Sequence, residues 1–131
     1  MRILLDTHIA LWAIVDHVRL PRQARILIND RENSIVVSAA TVWEIAIKHA
    51  IARGKMNAMP MSGRDALKNF LAAGYEMLSV SASHAAAVDT LANIHSDPFD
   101  RILIAQAITE PARLLTSDGR LAEYSDTVIL V

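Results

Sequence analysis

The residues best suited to chemistry are carboxylates that stand where a predicted strand ends or a predicted helix begins. They are Asp6, Glu44, the pair Asp97 and Asp100, and Asp118. Strand-to-helix junctions of a parallel sheet lie on one edge, and carboxylates gathered there repel one another unless a cation lies among them. Oxygen donors, without cysteine and without a regular histidine spacing, favour Mg²⁺ or Mn²⁺. Such ions activate water for attack on phosphate-bearing substrates.

Each carboxylate also has an ordinary structural explanation. Asp6 and Asp100 are favoured N-cap residues for the helices that follow them. Thr41 and Glu44 have the spacing of a capping box, and Asp118 precedes a glycine, as turn residues often do. For any single carboxylate, the structural explanation is as good as the functional one. Their joint placement at the junctions favours a functional site.

The placement of these carboxylates follows from the strands, which we predict from short apolar or β-branched runs with polar ends. The strands are residues 3–5, 34–38, 76–80, 114–116 and 128–131. Apolar residues at helical spacing predict helices between them. The helices are residues 7–15, 22–31, 39–53, 64–73, 83–94, 101–109 and 119–124. Thr7 is a second candidate cap for the first helix, and Gly54 and Gly74 are placed to end two later ones.

Alternation of strands and helices is typical of an α/β fold with parallel strands and helices on both faces. With 131 residues, 53% of them hydrophobic, the chain is long and apolar enough for one domain with a substantial core. We therefore predict a single α/β/α domain over residues 1–131.

Composition limits the other classes of protein. The sequence has no cysteine, which excludes disulfides and thiolate metal sites and fits a reducing cytosol. No apolar run approaches the roughly 20 residues of a membrane span, and Asp6 and His8 interrupt any signal-peptide core. We expect a soluble cytoplasmic protein without a membrane partner. The net charge of −1 provides no general basic field for nucleic acid, so any such contact depends on local Arg and Lys side chains.

Four stretches of the sequence resemble PIN-domain ribonucleases of the VapC toxin type. They are residues 4–12 (LLDTHIALW), 37–48 (VSAATVWEIAIK), 97–107 (DPFDRILIAQA) and 114–118 (LLTSD). The stretches come in the family's order and span nearly the whole chain. The resemblance implies a three-layer α/β/α PIN-like fold with a central parallel sheet of about five strands. It also implies a metal-dependent endoribonuclease, a VapB-type antitoxin as partner and a homodimer.

The resemblance also assigns roles to the acidic residues. Asp6, Glu44, Asp100 and Asp118 would surround Mg²⁺, with Asp6 and Asp100 holding the ion directly and the other two partly through water. Asp100 is favoured over Asp97 as the core ligand, and Asp97 remains a candidate additional ligand. An activated water would then attack the phosphodiester phosphorus of RNA.

Several neutral and basic residues are candidates for supporting roles. Thr7 and Thr116 or Ser117 could orient ligands or waters, and Lys48, Arg53 and Arg101 are the best candidates for phosphate contacts. We expect no protein cation within the carboxylate group itself, so the metal alone would screen the substrate's charge. Trp12 and Trp43 are expected in the core.

Two other functions would also account for part of this pattern. A phospho-receiver domain also gathers acidic residues and Mg²⁺ at a sheet edge. It would need an Asp after the third strand, where the chain has Ser79, Val80 and Ser81, and a Lys after the last strand, where there is none. A catalytically silent interaction module on the same fold is the second alternative. The presence of all four carboxylates argues against that module, and an assay is needed to decide.

Overall fold

A five-stranded, all-parallel sheet forms the centre of the protein. The structure is a computed structural model and describes residues 1–52 and 59–131. The strands are β1 (Arg2–Leu5), β2 (Ser34–Ser38), β3 (Glu76–Leu78), β4 (Arg113–Thr116) and β5 (Val128–Leu130). Their order across the sheet is β3-β2-β1-β4-β5. Leu4 of β1 pairs with Val36 of β2 on one side and with Leu114 of β4 on the other.

Helices cover both faces of this sheet. The described helices are α1 (Thr7–Val15), α2 (Arg22–Asn29), α3 (Ala39–Ile51), α4 (Gly63–Ala72), α5 (Ala82–Ala87), α6 (Pro98–Thr109) and α7 (Gly119–Ala122). A single 3₁₀ turn, Val88–Thr90, follows α5. The predicted three-layer α/β/α architecture with a parallel sheet is confirmed. Each described helix is too short or too polar to cross a membrane.

Alternate residues of the strands belong to two hydrophobic cores, one on each face of the sheet. Ile3 and Leu5 of β1 point to a first core, which α1 to α4 cover and in which Phe70 is fully buried. Leu4 points to a second core, which is covered mainly by α6 and closed by Leu121 of α7. Period-two alternation with both faces buried is what a central parallel strand requires. Strand β1, which ends at the site, is therefore held rigidly.

Several predicted boundaries and caps need correction. The helix predicted over 83–94 ends early, because the backbone becomes extended at Leu91, whose side chain packs against the second core. Ser38 rather than Thr41 caps α3, so the capping-box explanation of Glu44 is wrong. Asp6 rather than Thr7 caps α1.

Gly74 follows α4 with a positive φ of 83°, as expected of a helix-ending glycine. Residues 53 and 54, where α3 was predicted to end, lie outside the described residues.

Gly63 marks the closest approach of α4 to α3. A Cβ added at Gly63 would lie 2.7 Å from the Cβ of Ala46 and 3.0 Å from the carbonyl oxygen of Val42. We expect Gly63→Ala to lower the free energy of unfolding by about 1–3 kcal/mol, because the two helices must separate. Urea denaturation measures this loss. Gly119→Ala is the matched control, since its added Cβ would meet nothing within 4 Å. Equal stability of the two variants would show that the helices separate without cost.

Candidate active site

The carboxyl-terminal edge of the sheet carries a small polar cavity of about 170 Å³. It lies where β1 and β4 end and where α3 and α6 come close. The residues that line it are Asp6, Thr7, His8, Glu44, Lys48, Asp97, Asp100, Ser117, Asp118 and Arg120. The structure therefore brings together the predicted carboxylates, together with Thr7, Lys48 and Ser117.

Asp6 is both a helix cap and a buried acid. It is only 6% exposed; its Oδ1 accepts a hydrogen bond from the Ile9 amide at 2.8 Å, and its Oδ2 accepts one from the Thr116 hydroxyl. Burial raises the pKa of Asp6 to about 6, and the nearby Asp100 carboxylate raises it further, while the two hydrogen bonds oppose the rise. The capping and functional explanations of Asp6 are therefore compatible.

Glu44 lies in the second turn of α3, almost fully buried. The Thr7 hydroxyl donates to Glu44 Oε1 at 2.6 Å, and Lys48 Nζ lies 2.5 Å from Oε2. Glu44 and Lys48 thus form an ion pair one helical turn apart on α3. Thr7 also lies 3.3 Å from the Thr41 hydroxyl, which makes it the link between α1 and α3 behind the cavity. Both oxygens of Glu44 are thus already fixed by protein donors.

The first turn of α6 supplies two acids with different surroundings. Asp97 caps the helix, since its Oδ1 accepts from the amides of Phe99 and Asp100 at 2.9 and 3.3 Å. The prediction that Asp100 caps this helix is therefore wrong: Asp100 lies within the first turn, and its Oδ2 is 3.2 Å from His95 Nε2. Burial, followed by the charges of Asp97 and Glu44, raises the pKa of Asp100, while the His95 contact lowers it.

Asp118 is the most exposed of the four predicted ligands and is paired with Arg120. Arg120 Nε lies 3.2 Å from Oδ1 and an Arg120 terminal nitrogen lies 2.9 Å from Oδ2, and this pairing lowers the pKa of Asp118. The Thr116 hydroxyl accepts from the Asp118 amide at 3.0 Å, so one buried hydroxyl ties Asp118 to Asp6. Sequence reasoning missed Arg120, although it follows Asp118 by two residues. The expectation that no protein cation lies among the carboxylates is therefore wrong.

The donor set fits a hard divalent cation, although the side chains are not yet arranged as ligands. In residues 1–52 and 59–131, no three His, Asp or Glu side chains are grouped so that they could hold an ion as they stand. Each of the four carboxylates is bonded instead to protein donors. Burial and neighbouring acids raise the pKa values of Asp6 and Asp100, because the ionised carboxylates are unfavourable there. A bound cation would relieve this free-energy cost. Their carboxylate oxygens are the donors that Mg²⁺ and Mn²⁺ prefer.

Two residues lie differently from their predicted places. Arg101 does not line the cavity, because its guanidinium donates to the Ala92 carbonyl at 3.0 Å and to the Tyr124 hydroxyl at 3.1 Å. Trp43 is 63% exposed and meets the ring of Phe99 edge-on, so its predicted place in the core is wrong. Trp12 is partly buried against the first core, as expected. Trp43 directly precedes Glu44, and consecutive residues of a helix point in different directions, so Trp43 is exposed while Glu44 is buried.

Comparison with known families gives the chain an identity. A model of the PIN domain matches residues 3–126. The chain belongs to the PIN domain family. PIN domains are generally nucleases, and this PIN domain has its acidic cavity at the carboxyl-terminal edge of the sheet, where open α/β folds bind ligands.

Solved structures show the same fold over nearly the whole chain. VapBC2 from Rickettsia felis, solved bound to a DNA fragment from their promoter, is 21% identical, with a TM-score of 0.69 over 100% of this PIN domain and 98% of that chain. A toxin–antitoxin complex from Klebsiella pneumoniae is 17% identical, with a TM-score of 0.62 over 96% and 94%. FitAcB from Neisseria gonorrhoeae is 19% identical, with a TM-score of 0.60 over 97% and 96%. At these identities the likeness concerns the fold. No curated protein matches the chain significantly.

Proposed function

We propose that this PIN domain is a Mg²⁺- or Mn²⁺-dependent endoribonuclease and the toxin of a VapBC-type toxin–antitoxin pair. One observation carries the proposal: acids from four separate parts of the chain line a single cavity at the carboxyl-terminal edge of the sheet. Helix capping does not explain this arrangement, because Glu44 is buried in the second turn of α3, where it caps no helix.

The carboxylates of the cavity, and the two threonines that bind them, each have a definable task under this proposal. Asp6 and Asp100 would hold the ion, and Glu44 and Asp118 would complete its surroundings, with Asp97 as a further candidate. The ion, when bound, supplies Lewis acidity and a more acidic water. Thr7 fixes Glu44 through its hydroxyl. Thr116 fixes Asp6 in the same way.

Lys48 is the best candidate for contact with an RNA phosphate. Its side chain is 44% exposed and its ammonium pairs with Glu44, so the ammonium can turn towards a phosphate when the ion takes over that pairing. Ser117 lines the same cavity as a neutral donor. The proposal places the protein in the cytoplasm, where its RNA would be found.

The proposed partner is a VapB-type antitoxin, and the proposed assembly is a homodimer. Support for the antitoxin comes from the similar structures, of which two are described as VapBC2 and as a toxin–antitoxin complex. The homodimer rests on the VapC resemblance of the sequence. A silent PIN module remains the competing function, and it would also bind a partner.

Cleavage of labelled RNA tests the proposal. Purified protein is incubated with tRNA and mRNA fragments in Mg²⁺, Mn²⁺ or EDTA. We expect cleavage with either ion, none in EDTA, and cleavage reduced to background in Asp100→Asn, because the acid whose charge interacts with those of Asp6, Glu44 and Asp97 is lost. Asp89→Asn, an exposed acid on the 3₁₀ turn, is the matched control and should cut like the wild type.

Other outcomes would contradict the proposal. Cutting that survives both EDTA and Asp100→Asn would reveal a contaminating nuclease. Metal binding without cutting of any RNA tried would favour the silent module.

A further inference from the structure

His95 lies behind Asp100, in the segment that joins the 3₁₀ turn to α6. Its side chain is only 9% exposed, and both ring nitrogens have partners. Nε2 lies 3.2 Å from Asp100 Oδ2, and Nδ1 lies 2.9 Å from the Tyr124 hydroxyl. An almost buried imidazole with two polar contacts is held in one orientation.

The hydrogen bonds around Tyr124 decide which nitrogen carries the hydrogen. The Tyr124 oxygen accepts from the His95 amide at 3.0 Å and from Arg101 at 3.1 Å, so its own hydrogen is free to donate. The shorter of its two acceptors is His95 Nδ1, at 2.9 Å, against 3.1 Å for the His95 carbonyl. Tyr124 therefore donates to Nδ1, and Nε2 donates to Asp100, whose carboxylate oxygen accepts.

Arg101, which follows Asp100 in α6, holds Tyr124 and the segment that carries His95. Its guanidinium donates to the Ala92 carbonyl at 3.0 Å and to the Tyr124 hydroxyl at 3.1 Å. It thereby holds the segment before α6 against the carboxyl-terminal part of the chain. His95, Tyr124 and Arg101 form one connected support for the Asp100 carboxylate, and none of the three lines the cavity.

We propose that His95 is a positioning residue that, held by Tyr124 and Arg101, fixes the Asp100 carboxylate in the orientation needed to bind a divalent cation. The inference rests on the proposed metal site. Partners that orient a ligand in this way contribute about 10- to 100-fold to metal affinity. Arg101, predicted to contact phosphate, would in this role act through Tyr124.

Titration calorimetry with Mn²⁺ alone, at one fixed pH, tests this role without RNA. We expect His95→Phe to weaken Mn²⁺ binding about 10- to 100-fold, because the ring remains and the donor is lost. His95→Gln should recover much of the affinity, since its amide carries an N–H donor at a similar reach. Tyr124→Phe should weaken binding to a smaller extent. His17→Phe, in the turn that follows α1 and outside the residues that line the cavity, is the matched control and should bind like the wild type.

A double-mutant cycle separates positioning from general stability. If His95 acts through Asp100, His95→Phe should cost no further affinity in an Asp100→Asn background. Thermal unfolding is followed in parallel, so that loss of fold is not mistaken for loss of binding. Wild-type affinity in folded His95→Phe, or equal losses in both backgrounds, would overturn the inference. Absence of Mn²⁺ binding by the wild type would instead overturn the proposed metal site.

Discussion

Asp6→Asn is expected to yield a protein that cannot cut RNA and is more stable than the wild type in EDTA. Burial raises the pKa of Asp6 from 3.8 to about 6. Because each pKa unit corresponds to about 1.4 kcal/mol, the ionised carboxylate costs the metal-free fold about 3 kcal/mol above that pH. Asparagine has the same shape and caps helices equally well. The melting temperature in EDTA should therefore rise by several degrees.

The size of this stability effect depends on pH. Above about pH 6 the wild-type carboxylate is ionised and the full penalty is present; as pH falls towards 3.8 the penalty disappears. The stability advantage of Asp6→Asn should shrink over the same range. Asp126→Asn, an exposed acid before β5, is the matched control and should change neither stability nor cleavage. A variant less stable than the wild type at neutral pH would show that the Asp6 charge is compensated in the fold.

Mn²⁺ binding is expected to weaken as the pH falls through about 6. Protons compete with the ion for Asp6, whose pKa burial raises to about that value. In the wild type, the Thr116 hydroxyl donates to Asp6 and thereby lowers the pKa of Asp6. Thr116→Val removes this hydroxyl, so the pKa of Asp6 should rise and the midpoint of Mn²⁺ binding should move to higher pH. Calorimetry from about pH 5 to about pH 8 measures both effects.

Thr109→Val is the control for Thr116→Val, because Thr109 is exposed at the end of α6. Its binding profile should match that of the wild type. A midpoint that stays fixed in Thr116→Val would mean that the Thr116 hydroxyl does not govern the protonation of Asp6.

The sequence was sufficient to predict the sheet edge and the acids on it. Buried strands have short apolar runs, and parallel strands end together, so the positions of Asp6 and Asp118 follow from local pattern and topology. The exact start of α6 did not follow, because both Asp97 and Asp100 are good caps. The structure decides between them through the amide hydrogen bonds that Asp97 accepts.

The supporting residues could not be predicted for a different reason. His95 meets Tyr124 across 29 positions of sequence, and no periodicity encodes such a contact. Arg120 pairs with Asp118 through a side-chain orientation that spacing alone leaves open. A tryptophan on a predicted helix is expected in the core, but the face of α3 that carries Trp43 is exposed. Tertiary packing decides these three positions.

The placement of β1 has a consequence for the newly made chain. Of the five strands, β1 is the first to be synthesised, yet it lies in the middle of the sheet, and its neighbour β4 comes from residues 113–116. The hydroxyl that binds Asp6 is 110 residues away in sequence. A nascent chain emerging from the ribosome therefore carries Asp6 long before Thr116 and Asp118 exist. The acidic cavity therefore stays incomplete until residues 113–118 have been made and have paired beside β1.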